Sequence, residues 1–182
     1  MNLELSVKAY LYIAILVLVV ACQPHNVPTK PTGLQVDSVY TSADFRAYGD
    51  YYNSGHEVYA IDLLTDGLAY DSAWHISGTG YNLYLSDVFA SAEDTMGLPA
   101  GSYEMDSVAR VGSFLRGMNF EGSITGTYLL EINEDKIQRM ILFRTGHMTV
   151  DYVAEDIVLD LHLYTEDSTH YHATYMGPVM YR

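Results

Sequence analysis

Beyond Leu34 the chain alternates apolar and polar side chains with a period of two, broken at short intervals by Gly, Asn and Asp. That period is the pleat of a β-strand whose two faces meet different surroundings, and β-branched and aromatic residues recur in the alternating runs. In "EVYAIDLL", Val58 and Ala60 alternate with Tyr59, Ile61 and Leu63. In "GYNLYLSDVF", Tyr81, Leu83 and Leu85 share one face while Asn82, Tyr84 and Ser86 share the other. The same pattern predicts strands at residues 34–40, 44–49, 102–108, 125–132, 137–143, 147–152, 156–164 and 169–176. Residues 87–94, "DVFASAED", fit either a short turn of helix or a strand end and loop.

Turn chemistry supports this layout. In "GLPAGSY", Pro99 pre-sets φ for the second position of a turn and Gly101 falls at the fourth. "NEDK", Asn133 to Lys136, separates two alternating runs as a hairpin connection would. Near the C-terminus, Ile157, Leu159, Leu161 and Leu163 share one face, and Asp156, Asp160, His162 and Tyr164 the other. Keeping the apolar groups together when the chain returns sets Leu163 opposite Tyr171, Leu161 opposite Ala173 and Leu159 opposite Tyr175. The same register sets His162 opposite His172 and Tyr164 opposite His170. The expected fold is all-β, an antiparallel two-sheet β-sandwich, with an antiparallel β-barrel as the alternative.

The N-terminal segment differs in kind. The apolar run from Leu11 to Ala21 is 11 residues long, too short as a helix to cross a hydrocarbon core of about 30 Å. It has the length of a secretory h-region, followed by Cys22, the single cysteine. "QPHNVPTKPTG" then carries Pro24, Pro28 and Pro31 and reads as an extended tether. The expected organisation is a lipoprotein signal peptide at 1–21, a lipid-bearing Cys22 with its tether at 22–33, and one all-β domain at 34–182.

Val19-Val20-Ala21-Cys22 resembles a bacterial lipobox, which implies that Cys22 becomes an acylated first residue. The elements "AYGDYY", "YAIDLLTDG", "SGTGYNLYLSDVF", "LPAGSY", "GTY", "GHMTV" and "YMGPVMY" together resemble a group of small envelope lipoproteins of Bacteroidales bacteria. The resemblance implies an envelope lipoprotein with a β-sandwich-type domain, and it carries no catalytic residues over. Acidic residues often follow the lipid-bearing cysteine in surface-exported lipoproteins of that phylum; here Gln23-Pro24-His25-Asn26 stand there, which leaves the periplasmic and surface faces both open.

The formal charge of −14 repels phosphate backbones, and no Lys/Arg cluster offsets it, so nucleic acid is not an expected partner. His56-Glu57 begins like a zincin motif, but Ala60 stands where the second histidine belongs. Gly-x-Ser-x-Gly and P-loop patterns are missing from the sequence, and "SGTGYN" precedes a strand with no helix to receive a pyrophosphate. Asp62, Asp66 and Asp71 bracket a loop without the ligand order of an EF-hand. No enzyme activity and no cofactor are expected; a glycan hydrolase, which needs only a facing pair of carboxylates, ranks behind the other functions.

Tyrosine is abundant, 17 residues against one tryptophan. Most tyrosines fall in strand patterns and suit packing, as Tyr59, Tyr81, Tyr128, Tyr152 and Tyr175 do. Tyr70, Trp74 and His75 instead lie in the long connection "TDGLAYDSAWHISGTG", where binding residues commonly sit, and are the candidate ligand-binding set. Tyr51 and Tyr52 would form a separate patch at the opposite end of the sheet. No metal site is predicted outright: His162 and His172 with Asp160 are the nearest candidates, and they make a thin ligand set. The expected function is a non-catalytic module, anchored to the outer membrane by lipid, that binds a glycan or an envelope protein. The alternative is a structural or assembly component pairing through a strand edge.

Overall fold

A computed structural model describes residues 35–92, 97–179 and 181. The expected signal peptide, Cys22 and the tether lie outside the described residues. Fifteen strands follow in order: β1 Gln35–Tyr40, β2 Ser42–Ala47, β3 His56–Leu64, β4 Leu68–Tyr70, β5 Ile76–Gly78, β6 Gly80–Ser91, β7 Gly101–Asp106, β8 Ser113–Leu115, β9 Met118–Phe120, β10 Ser123–Thr125, β11 Tyr128–Asn133, β12 Lys136–Leu142, β13 Thr145–Val153, β14 Asp156–Tyr164 and β15 His170–Pro178. No helix occurs among the described residues. The protein is all-β, as the alternation predicts.

Strand β6 organises the main sheet. Strand β3 runs along one of its edges, while β11 takes the first part of the other edge and β8 the second. From β8 the sheet continues through β7, β13, β14 and β15 to β1. Thr41 then separates two loyalties of one stretch of chain: β1 pairs with β15, β2 pairs with β3, and Phe45 of β2 bridges to Tyr181 beyond β15. The first strands therefore nearly close the sheet, which becomes barrel-like. The expected division into two sheets is not evident in this pairing, and the expected alternative fits it better. Two pairs, β1 with β15 and β7 with β8, are parallel rather than antiparallel.

Packing explains the curvature. Inward residues of successive strands, among them Phe45, Ile61, Leu85, Phe114, Met148 and Leu161, are each fully buried. Strand β14 alternates between buried and half-buried positions over all nine residues, so its apolar row faces this core. Burial of such side chains stabilises by about 1.5–3 kcal/mol each, and near-closure leaves few backbone groups at open edges.

Residues 87–91 belong to β6, not to a helical turn. Their irregular look has a cause: between the pairs Tyr59–Val88 and Ile61–Leu85, β6 holds one residue more than β3. Asp87, at this bulge, adopts a left-handed φ of 51°. The three-residue strands β4, β5, β8, β9 and β10 escaped prediction because three positions cannot display a period. Glu134 and Asp135, with φ of 49° and 64°, make the two-residue turn expected from "NEDK".

Candidate functional site

Strand β3 is buried on both faces from Val58 to Leu64. Its inward residues enter the core, and its outward face, with those of β2, β6 and β11, forms the floor of a trough of about 710 Å³. The long connection after β3 supplies a wall. Strands β4 and β5 pair into a small hairpin that folds back over the sheet, where Leu68 joins Leu64 and Ile132 in a satellite apolar cluster with Tyr70 and Ile76 against it.

This flap is tied to the neighbouring hairpin turn. The Gly78 N–H donates to Asp135 Oδ1 at 2.5 Å, the Asp135 N–H donates back to the Gly78 carbonyl at 3.0 Å, and the Glu134 N–H donates to Thr79 Oγ1 at 3.0 Å. At the flap's tip Asp71 Oδ1 accepts the N–H groups of Ala73 at 2.8 Å and His75 at 2.9 Å. Between them Trp74 adopts a left-handed φ of 64°, uncommon for a bulky residue, and presents its indole 57% exposed beside Tyr70 at 5.9 Å between ring centroids.

The floor carries a polar network. Asp62 is buried, its Oδ2 accepting from Arg46 Nη2 and its Oδ1 from Asn82 Nδ2 at 2.9 Å. Arg46 also pairs with Asp44, Nε to Oδ2 at 3.4 Å, and lies 5.5 Å from the centre of the Tyr84 ring. Tyr84 and Tyr128 stand side by side with ring centroids 5.1 Å apart. Burial pushes the Asp62 carboxyl above its ordinary range, against the opposing pull of Asn82, Arg46 and Tyr70. Burial likewise raises the Tyr84 phenol to about 12, against the opposing charge of Arg46. The Tyr70 phenol is also raised, by burial and then by the Asp62 charge. These phenols stay protonated at neutral pH and remain hydrogen-bond donors.

Tyr70, Trp74 and His75, the candidate binding residues, all line this one trough. Arg46, Asn82, Tyr84 and Tyr128 join them there without having been singled out for binding, and Asp62 does so as a floor group rather than as part of a calcium loop. The available signal was the pair Asn82 and Tyr84 on the face opposite Leu83, and a lone carboxylate inside the apolar run of β3. Tyr51 and Tyr52, expected in a separate patch, are not among the residues lining the trough; their rings meet edge to face at 5.0 Å between centroids, and Tyr52 lies 6.0 Å from Phe89.

Asp160, His162 and His172 also come together, on the outer face of β14 and β15, with one ligand atom from each within 4.8 Å of the others. The predicted register holds at every pair, including His162 opposite His172 and Tyr164 opposite His170. Comparison with family models, with curated proteins and with solved structures finds no match to this chain.

Proposed function

We propose that this chain is a non-catalytic binding module of the bacterial cell envelope, tethered to the outer membrane through an acylated Cys22, whose trough recognises a glycan. The supporting observation is the trough itself. A volume of about 710 Å³ lies within the usual range for small-ligand sites, roughly 300–1,000 Å³. Its wall offers the aromatic faces of Tyr70 and Trp74, and its floor offers those of Tyr84 and Tyr128 beside the donors and acceptors of Arg46, Asp62 and Asn82. Faces for the C–H surface of a sugar ring and polar groups for its hydroxyls are what glycan recognition uses. Arg46 is already balanced by Asp62 and Asp44, which favours an uncharged sugar over an anionic one. Both Asp62 oxygens are engaged, so this reading keeps Asp62 as a group that orients Arg46 and Asn82 rather than one that transfers protons. The architecture that goes with this reading is a barrel carrying the β11–β12 hairpin beside the trough.

A glycan array probed with the full chain should give a signal that Trp74→Ala weakens about fivefold or more, the cost of truncating a central aromatic contact being above ~1 kcal/mol. Array binding unchanged by Trp74→Ala and by Tyr84→Ala would remove the reading. Anchoring is tested apart from binding: Cys22→Ser should release the protein from the membrane fraction after a high-salt wash, because stable anchoring needs two or more acyl chains.

A second reading, a structural component of an envelope assembly, is favoured by one observation. Among the described residues β12 pairs with β11 alone and exposes Ile137 and Met140 beside its open edge. Co-purification of one fixed envelope protein that is insensitive to Trp74→Ala and lost on Met140→Lys would support it over glycan binding.

A further inference from the structure

A row of side chains that the trough does not use crosses the outer face of the sheet on the β13, β14, β15 and β1 side. In register across five strands stand Glu104 of β7, His147 of β13, His162 of β14, His172 of β15 and Asp37 of β1. The rings of His147 and His162 stack at 4.9 Å between centroids and those of His162 and His172 at 4.6 Å.

Two of these imidazoles bring the same nitrogen close to one oxygen. Asp160 Oδ1 lies 2.9 Å from His172 Nε2 and 3.4 Å from His162 Nε2. Their other nitrogens are held from outside: His172 Nδ1 faces Asp37 Oδ1 at 3.2 Å, and His162 Nδ1 faces His170 Nε2 at 3.0 Å. The tautomer that protonates Nδ1 on both rings satisfies both outer contacts and leaves both Nε2 lone pairs on the Asp160 side; because the ring planes stand only 12° apart, one imidazole turns about its Cβ–Cγ bond for the two to converge on one ion.

We propose that Asp160, His162 and His172 form a binding site for a divalent transition metal of the zinc type, with Asp37 and His170 as the hydrogen-bond partners that orient the two imidazoles. Tetrahedral zinc with bonds of about 2.0–2.1 Å separates its ligand atoms by about 3.3–3.4 Å. The contact from Asp160 to His162 already has that length, and the contact to His172 needs to open by only a few tenths of an ångström. A carboxylate holding the far side of a ligating ring, as Asp37 holds His172, is a recurrent feature of such centres and fixes the metallated nitrogen. The scaffold is rigid where it matters. All three ligands project from paired strands whose opposite face, Leu161, Leu163 and Ala173, is buried in the core. Two nitrogens and one oxygen suit zinc, nickel or copper and disfavour magnesium and calcium, which take oxygen ligands. Three protein ligands leave the fourth position to water.

The test uses the full chain, freed of metal with a chelator, and zinc chloride as the probe, followed by imidazole nitrogen resonances and by calorimetry. At one equivalent of zinc the His162 and His172 resonances should move most, while magnesium leaves them in place. His172→Gln should weaken zinc binding by about a hundredfold, and Asp37→Asn by about tenfold through the lost outer partner. Neither variant touches the apolar face of β14 or β15, and the wild-type titration stands without them. Zinc that leaves both imidazoles unmoved, that shifts only His25, His56 or His75, or that binds His172→Gln as tightly as wild type, overturns the proposal. Glycan binding plays no part in any of these readouts, so the two proposals fail separately.

Discussion

His162 and His172 face each other across β14 and β15 with their rings nearly parallel, 12° between planes and 4.6 Å between centroids. Two positive charges cannot share that separation without cost, and the surroundings of His162 favour its neutral form. Burial is the main cause of its lowered pKa; Asp160 opposes, while His172, His147 and His170 reinforce. Asp37 and Glu104 close the two ends of the row. An unfolded histidine takes up its proton near pH 6.5. Below that value the unfolded chain therefore binds more protons at this position than the folded one, so stability falls with acidification until the pH passes the lower folded value. In metal-free protein the His162 resonance should titrate below about 6.5. The loss of urea midpoint between neutral and mildly acidic pH should be smaller in His162→Gln. A His162 midpoint at or above the ordinary value would contradict this.

The register of that hairpin was legible because β14 alternates without a break over nine residues, so a slip by one would expose Leu159, Leu161 and Leu163 together. What joins the row from outside was not legible. Asp37 reaches His172 only because β1 pairs in parallel with β15, a contact across 135 positions that no local pattern announces. The same limit applies to the trough. Tyr70, Trp74 and His75 could be chosen because a long aromatic connection is unusual, whereas Arg46 and Asp62 meet only through the pairing of β2 with β3. Asp62 also hid behind a reasonable alternative, since a carboxylate next to a turn reads as a loop ligand until both faces of its strand are known to be buried.

The Arg46–Asp62 pair should be measurable as a coupling. Arg46→Met leaves the Asp62 carboxylate buried with Asn82 and Tyr70 but without its cation. Removing one partner of a fully buried pair costs about 3–5 kcal/mol. Arg46 is one-third exposed, so solvent screening lowers the expected loss to about 1–3 kcal/mol. Asp62→Asn added to Arg46→Met should recover part of that loss, giving a double-mutant coupling above about 1 kcal/mol in urea unfolding. Strict additivity would show that the pair contributes nothing beyond its separate contacts.

Asp71 should act as the clasp of the loop that carries Trp74. Its carboxylate is held below the ordinary range chiefly by the His75 N–H, with the Ala73 N–H adding to it. Asp71→Ala removes the acceptor for both groups, whereas Asp71→Asn keeps an oxygen in place. Trp74 is the single tryptophan, so fluorescence anisotropy reads this loop alone. Faster indole motion is expected in Asp71→Ala, with Asp71→Asn close to wild type. In the wild type the same loosening should appear on acidification, as the pH falls through the lowered folded pKa and the carboxylate gains its proton. Equal anisotropy decay in all three proteins would mean that Trp74 is positioned by its packing on Tyr70 instead.

Gly78 should be the position on which the flap most depends. Its φ of 111° lies where side chains are rarely tolerated, and a Cβ built there would stand 2.0 Å from the Gly67 carbonyl oxygen, which is backbone and cannot swing away. The clash falls at the neck where the flap leaves the sheet, next to the two hydrogen bonds that tie Gly78 to Asp135. Gly78→Ala must therefore open the neck, break those bonds, or both, at a cost of about 1–3 kcal/mol. The damage should stay local. Leu68 and Ile76 would lose their packing on Leu64 and Ile132, while the main core around Ile61, Leu85 and Leu161 keeps every contact. Hydrogen exchange should accordingly accelerate at Gly78 and Asp135 and stay slow in β14 and β15, and glycan binding should weaken as the wall bearing Tyr70 and Trp74 loses its place. Uniform acceleration across the whole sheet would show instead that the flap and the barrel-like sheet unfold as one unit.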